Sequence, residues 1–172
     1  MTAKLLNSVN AVIDYIINVL AIIAGVLVGL SMVGINIDVF MRFVFNHPIF
    51  FIFPLTEMHL LFVTFFVAPW LLKTKGHVRM DFVVSRLSAK NQNRLDIFSA
   101  VIGIIVCFIL VWYGTKVTHE LWISKEYDIF KLEGFPKAIT VSAIPIGSFF
   151  LLIQFLRDLW SVFNKFLKPT KP

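Results

Sequence analysis

The chain has 172 residues, of which 58% are hydrophobic and only 15% charged, against about 25% charged in a typical soluble domain. That much apolar surface exceeds what one core of this size can hide, and a bilayer is the solvent that suits it. The net charge of +6 does not mark a nucleic-acid surface, because the basic residues gather at the ends of the apolar runs, where they report topology.

Four apolar runs are long enough to cross about 30 Å of hydrocarbon, which takes about 20 helical residues. The first is Ala11 to Phe40. It is longer than needed and is expected to tilt or protrude. Asp14 and Asn18 sit early in it and no small-x-small cleavage site follows, so it reads as a permanent helix and not a signal peptide. Met41 to Pro48 reads as a short outer hairpin. The second run is Ile49 to Leu72, with Pro54 and Pro69 near its two ends.

A longer connection, Lys73 to Asp96, follows. In it Phe82, Val83, Leu87 and Leu95 alternate with Arg86, Lys90 and Arg94, which suits an amphipathic segment at the interface, and Ser88 is a candidate N-cap. The third run starts at Ile97, is apolar to Tyr113, and extends about a turn to Lys116. The connection from Lys116 to Lys137 is the largest on its side, with Trp122, Tyr127, Phe130 and Phe135 suited to the lipid–water boundary. Gly134 and Pro136 mark the turn into the fourth run, Ala138 to Leu156. The chain thus reads as a single all-α membrane domain over residues 1–172, with spans near 11–40, 49–72, 97–116 and 138–156.

Orientation follows from Lys and Arg. The two termini and the second connection hold eleven, and the other two connections hold five. The positive-inside rule then places both termini in the cytoplasm.

Polar residues inside the runs are the candidate sites. Asp38 and Glu57 lie nine and ten residues on either side of His47, at similar depth, and Arg42 is one turn from Asp38. An unpaired charge in hydrocarbon costs several kcal/mol, so a cluster of Asp38, Arg42 and Glu57 is a sensible polar clip between the first two helices or to another subunit. An ion or proton site is the competing reading. It lacks any acid continuing across the membrane on the third or fourth run. His59 is the one mid-span histidine and fits an interhelical hydrogen bond better than a metal ligand, as do Asn18 and Asn36. Gly25, Gly29, Ser31 and Gly34 form a small-residue stripe on the first helix. Asp14, near the cytoplasmic end, is expected to reach the interface by snorkelling. The single cysteine, Cys107, excludes an intramolecular disulfide and reads as a small buried hydrophobe. Neither a phosphate-binding glycine loop nor a G-x-S-x-G motif nor a Cys/His metal spacing occurs, so an enzyme is not expected.

Taken in order, "NIDVFMRFVFNHPI", "LTEMHLLFV", "LLKTKGHVRMD" and "AIPIG" resemble the DctQ-like small membrane subunit of TRAP (tripartite ATP-independent periplasmic) transporters. The resemblance covers nearly the whole chain. It departs where Phe stands in "FFIFPLTE" and the family often has Trp. It singles out Gly76, His77, Arg79 and Asp81 as a cytoplasmic anchor motif. The resemblance implies a bacterial inner-membrane protein bound to a large polytopic subunit, with a periplasmic binding protein as transient partner. It implies uptake of an organic acid, a dicarboxylate or sialic-acid-like carboxylate, driven by sodium. The sodium site would be on the large subunit and no cofactor or metal on this chain, which would act as scaffold. Lys125, Glu126, Lys131 and Glu133 on the outer connection are candidates for touching the binding protein. The alternative from another class is a haem-binding anchor of an electron-transfer complex, for which His59 lacks a partner ligand at its depth.

Overall fold

The computed structural model describes residues 2–74, 89–127 and 135–167. Four helices account for nearly all of them: α1 (Thr2–Phe45), α2 (Ile52–Lys73), α3 (Ala89–Ile123) and α4 (Lys137–Leu167). Each contains a stretch long and apolar enough to cross a membrane. Among the described residues the only sheet-like pairing is one bridge, Tyr127 to Pro136.

α1 is one unbroken helix of 44 residues, about 66 Å long at 1.5 Å per residue. It outruns the expected span at both ends, because nothing in the sequence from Thr2 to Phe45 is a proline and the first strong breaker pair is Asn46 and Pro48. The expected Met41–Pro48 hairpin is therefore shifted: residues 41–45 are still helical, and the reversal falls on 46–51. Asn46 takes a left-handed conformation (φ 52°) at the turn, a role its short polar side chain tolerates. α2 continues through the buried Pro69 to Lys73, and α4 runs through Pro145. Proline is tolerated in such helices because neighbours re-satisfy the freed backbone groups.

The helices pack in sequence α1–α2–α4–α3, with α3 and α4 forming the most extensive pair. Close approach depends on glycine at specific crossings. A methyl on Gly147 would overlap the backbone carbonyl of Phe65, so α2 and α4 touch almost backbone to backbone there. A methyl on Gly103 would meet the Phe155 ring at 2.5 Å, and one on Gly114 the Pro145 ring at 3.1 Å. Around these crossings lie the buried Ala143, Ser148, Cys107 and Ala138. The stripe expected on α1 divides differently. Gly34 lies against Ile52 of α2, at 3.5 Å for an added methyl, whereas Gly25 and Gly29 have nothing within 4 Å.

Only 11% to 22% of the apolar window of each span is buried within the chain. Most of the apolar surface therefore faces lipid or another protein. Phe82, Val83, Arg86 and Leu87 of the expected amphipathic segment, and Ser88, the candidate N-cap of the helix leading into the third span, lie outside the described residues.

Candidate functional site

The register of α1 against α2 and the reversal before it brings four pairs of positions together. Asp14 meets Lys73, Ser31 meets His59, Gly34 meets Ile52, and Asp38 meets Ile49. From Asp14 to Asp38 is 24 residues, about 36 Å, close to the thickness of a hydrocarbon core. Polar contacts thus cluster at the two ends of the paired length, with one in between.

At the hairpin end Asp38 is buried and uses both oxygens. Oδ2 accepts from Arg42 Nη2 at 2.8 Å, and Oδ1 accepts from the backbone N–H of Ile49 at 2.7 Å. Asp38 and Arg42 are one helical turn apart, as their i, i+4 spacing demands. The second bond supplies a partner for a backbone donor in the reversal, where the chain leaves one helix for the next. The N–H of His47 donates to the carbonyl of Met41 and closes the turn further. Glu57 lies on an exposed face of α2, in line with the exposed Phe53, Leu60 and Thr64. His59 is not part of this cluster. It shares a 2.9 Å hydrogen bond, Nδ1 to Ser31 Oγ, deeper between α1 and α2.

The opposite end holds a second cluster that depth-matching from the hairpin alone does not reveal. Arg157 of α4 donates to Asp14 Oδ1 at 2.6 Å and to Oδ2 at 3.4 Å. Lys73 of α2 lies 3.8 Å from the same carboxylate and donates to Asn18 Oδ1 at 3.2 Å. Arg157 also reaches Gln154 at 3.4 Å, and Gln154 reaches Asp158 at 3.5 Å. All three charged side chains are between about a quarter and a third exposed. This joins α1, α2 and α4 at one point. Asp14 is therefore an interhelical partner, where snorkelling was expected, because an Arg at equal depth on α4 offers a bidentate match that open water does not. The signal was available: Asp14, Lys73 and Arg157 are opposite charges at the same end of a four-span arrangement. Asn18 does bond between helices, but Asn36 does not. Asn36 donates back to the Met32 carbonyl of its own helix at 2.7 Å, from an exposed face.

At the base of the connection between α3 and α4, Tyr127 pairs with Pro136 and the N–H of Lys137 donates to the Glu126 carbonyl at 3.1 Å. The Lys137 and Glu126 side chains pair at 3.4 Å. Lys125 is exposed and left-handed (φ 49°), which turns the chain out of α3 after Ser124 closes the last helical turn onto Glu120. Glu126 is thus engaged at the neck while Lys125 faces outward. Lys131 and Glu133 lie outside the described residues, as do Gly76, His77, Arg79 and Asp81.

Among the described residues no three His, Cys, Asp or Glu side chains gather as metal ligands would. The interhelical polar contacts given above lie at the two ends of the α1–α2 pair and in the Ser31–His59 bond between them.

No curated protein matches the chain. The family model described as "Tripartite ATP-independent periplasmic transporters, DctQ component" matches residues 31–165, from the middle of α1 to near the end of α4. With four spanning helices and a match over most of its length, the chain belongs to the DctQ family, a family of transporter components and not of enzymes.

Proposed function

We propose that this chain is the small scaffold subunit of a sodium-coupled, binding-protein-dependent transporter in the bacterial inner membrane, taking up an organic acid. It stabilises the large transport subunit and carries neither the sodium site, the substrate site nor a cofactor. The observation that carries this reading is the distribution of the polar groups. Asp14 is paired with both Lys73 and Arg157 across three helices, and Asp38 is occupied by Arg42 and a backbone N–H. Groups tied in this way fix helices and do not present an ion path. The spans bury little of their surface against each other, so a rigid frame with a large face left for lipid and a partner is what the chain offers. The unbroken helices also lack the interrupted midplane segments that commonly build secondary-transporter sites. The excess of Lys and Arg at the Asp14–Arg157 end supports a cytoplasmic location for both termini.

The connection after α3, which runs on to Ile123 and not to the expected Lys116, would then face the periplasm, where Lys125, with Glu126, Lys131 and Glu133, would meet the loaded binding protein. Two measurements test the proposal. Affinity purification of the tagged chain from native membranes should recover a much larger polytopic protein in stoichiometric amount. Recovery of the chain alone, or with a haem protein, contradicts it. Reversing the charges of Lys125, Glu126, Lys131 and Glu133 together should lower binding-protein-dependent uptake several-fold while the membrane complex still co-purifies. Unchanged uptake removes the loop contact from the proposal.

A further inference from the structure

The apolar run of α1 does not end where its pairing with α2 ends. Asp38 and Ile49 close the paired length, yet beyond Asp38 the chain continues through "VFMRFVFNHPIFFIF" with no acidic residue between Val39 and Thr56. Six phenylalanines of this tip, Phe40, Phe43, Phe45, Phe50, Phe51 and Phe53, are exposed, Phe43 by 90% and Phe50 by 81%. An arrangement with the ion pair at the membrane surface would hold Phe40, Phe43 and Phe45, which lie beyond Asp38, in water.

Three features identify what covers the tip. First, its apolar side chains do not form one face. At about 100° per residue, the exposed Val39, Phe40, Phe43, Val44 and Phe45 spread over about two thirds of the circumference of α1, and the remaining third holds Asp38 and Arg42. A protein partner covers one side of a helix, whereas lipid surrounds it. Second, the tip is held in shape by Asp38, the His47–Met41 bond and the Phe40–Phe45 edge contact at 6.3 Å. Third, the one formal charge there is Arg42, whose side chain is 64% exposed even while it pairs with Asp38. An exposed guanidinium beside apolar rings suits a lipid phosphate.

We propose that the α1–α2 tip is a lipid-embedded wedge: Phe43, Phe50 and their neighbours lie among acyl chains, and Arg42 reaches the phosphate layer. The apolar run of α1, 38 residues from Ser8 to Phe45 or about 57 Å, then stays in a bilayer about 30 Å thick only by tilting steeply. The reversal at residues 46–51 is a membrane element and not an aqueous loop. This placement is independent of the scaffold reading and survives or fails without it.

Phe43 and Phe50, each replaced in turn by the photoreactive p-benzoylphenylalanine, provide the test in native membranes with all accompanying subunits present. After irradiation, intact-mass analysis of the purified chain should show a phospholipid adduct from both positions and none from the same replacement at Lys125. In a Cys107→Ala background, Phe43→Cys should react with a membrane-impermeant maleimide at least tenfold more slowly than Lys125→Cys. A protein–protein adduct as the main product at Phe43 or Phe50 would overturn the wedge, as would maleimide labelling of Phe43→Cys as fast as that of Lys125→Cys.

Discussion

Asp14 is one charge near the end of a 44-residue helix, yet it is the point where three helices meet. Removing Arg157 leaves a half-buried carboxylate with only the more distant Lys73 at 3.8 Å. In an Asp14→Ala, Arg157→Ala double-mutant cycle, the coupling measured by denaturation in mixed micelles should be about 1–2 kcal/mol. A coupling near zero would mean that the pair is solvated and holds nothing. Ser148 makes the opposite case. It is fully buried, next to Gly147, and its hydroxyl has no hydrogen-bond partner among the described residues, as is true of Thr140. An unsatisfied buried hydroxyl is unfavourable by about 1–3 kcal/mol, so Ser148→Ala should leave thermal stability unchanged or raise it. A clear loss would reveal a bond that the static arrangement does not contain. These two residues also mark what was legible at this scale. Asp38 and Arg42 follow from i, i+4 spacing alone. Arg157 and Asp14 are 143 residues apart, and only the packing of α4 beside α1 and α2 brings them within reach.

At the scale of elements, the number and type of helices follow from hydropathy, but their ends and contact faces do not. α1 runs past the expected span at both ends because no helix breaker precedes Asn46 and Pro48. The small-residue pattern on α1 points to Gly25 and Gly29, while among the described glycines the closest approach is at Gly147. Spacing identifies a helix able to come close to another, but not which helix arrives. The difference is measurable. Gly147→Leu should abolish folding or lower stability by about 3 kcal/mol or more, since the clash is with backbone and cannot be relieved by a rotamer change. Gly25→Leu should leave the fold of this chain intact, because its surroundings are open. If Gly25→Leu lowers recovery of the larger subunit without unfolding the chain, that face is where the partner sits. Asp38→Ala should destabilise the reversal by about 1–3 kcal/mol, through the lost bond to the Ile49 N–H, and should do so more than Arg42→Ala. Equal losses would mean that the ion pair, and not the backbone bond, holds the turn.

Over the described residues the molecule is four helices packed as α1–α2–α4–α3, with most of the apolar surface of each span left outside the packing. The membrane class, the number of spans and the family were legible because composition and motif order carry them. The exposed flank of the molecule was not, because an apolar residue facing lipid and one facing a subunit look alike in sequence. The central claim is that the chain supports transport without conducting. Proteoliposomes settle it most directly, containing the large subunit alone, this chain alone, or both, with the binding protein and an inward sodium gradient. The account predicts no sodium or proton flux from this chain alone. It predicts sodium-dependent uptake of the organic acid only when both membrane subunits are present, and retained uptake with Glu57→Gln in the folded complex. Ion flux through this chain by itself, or uptake abolished by Glu57→Gln while the complex remains intact, would contradict it.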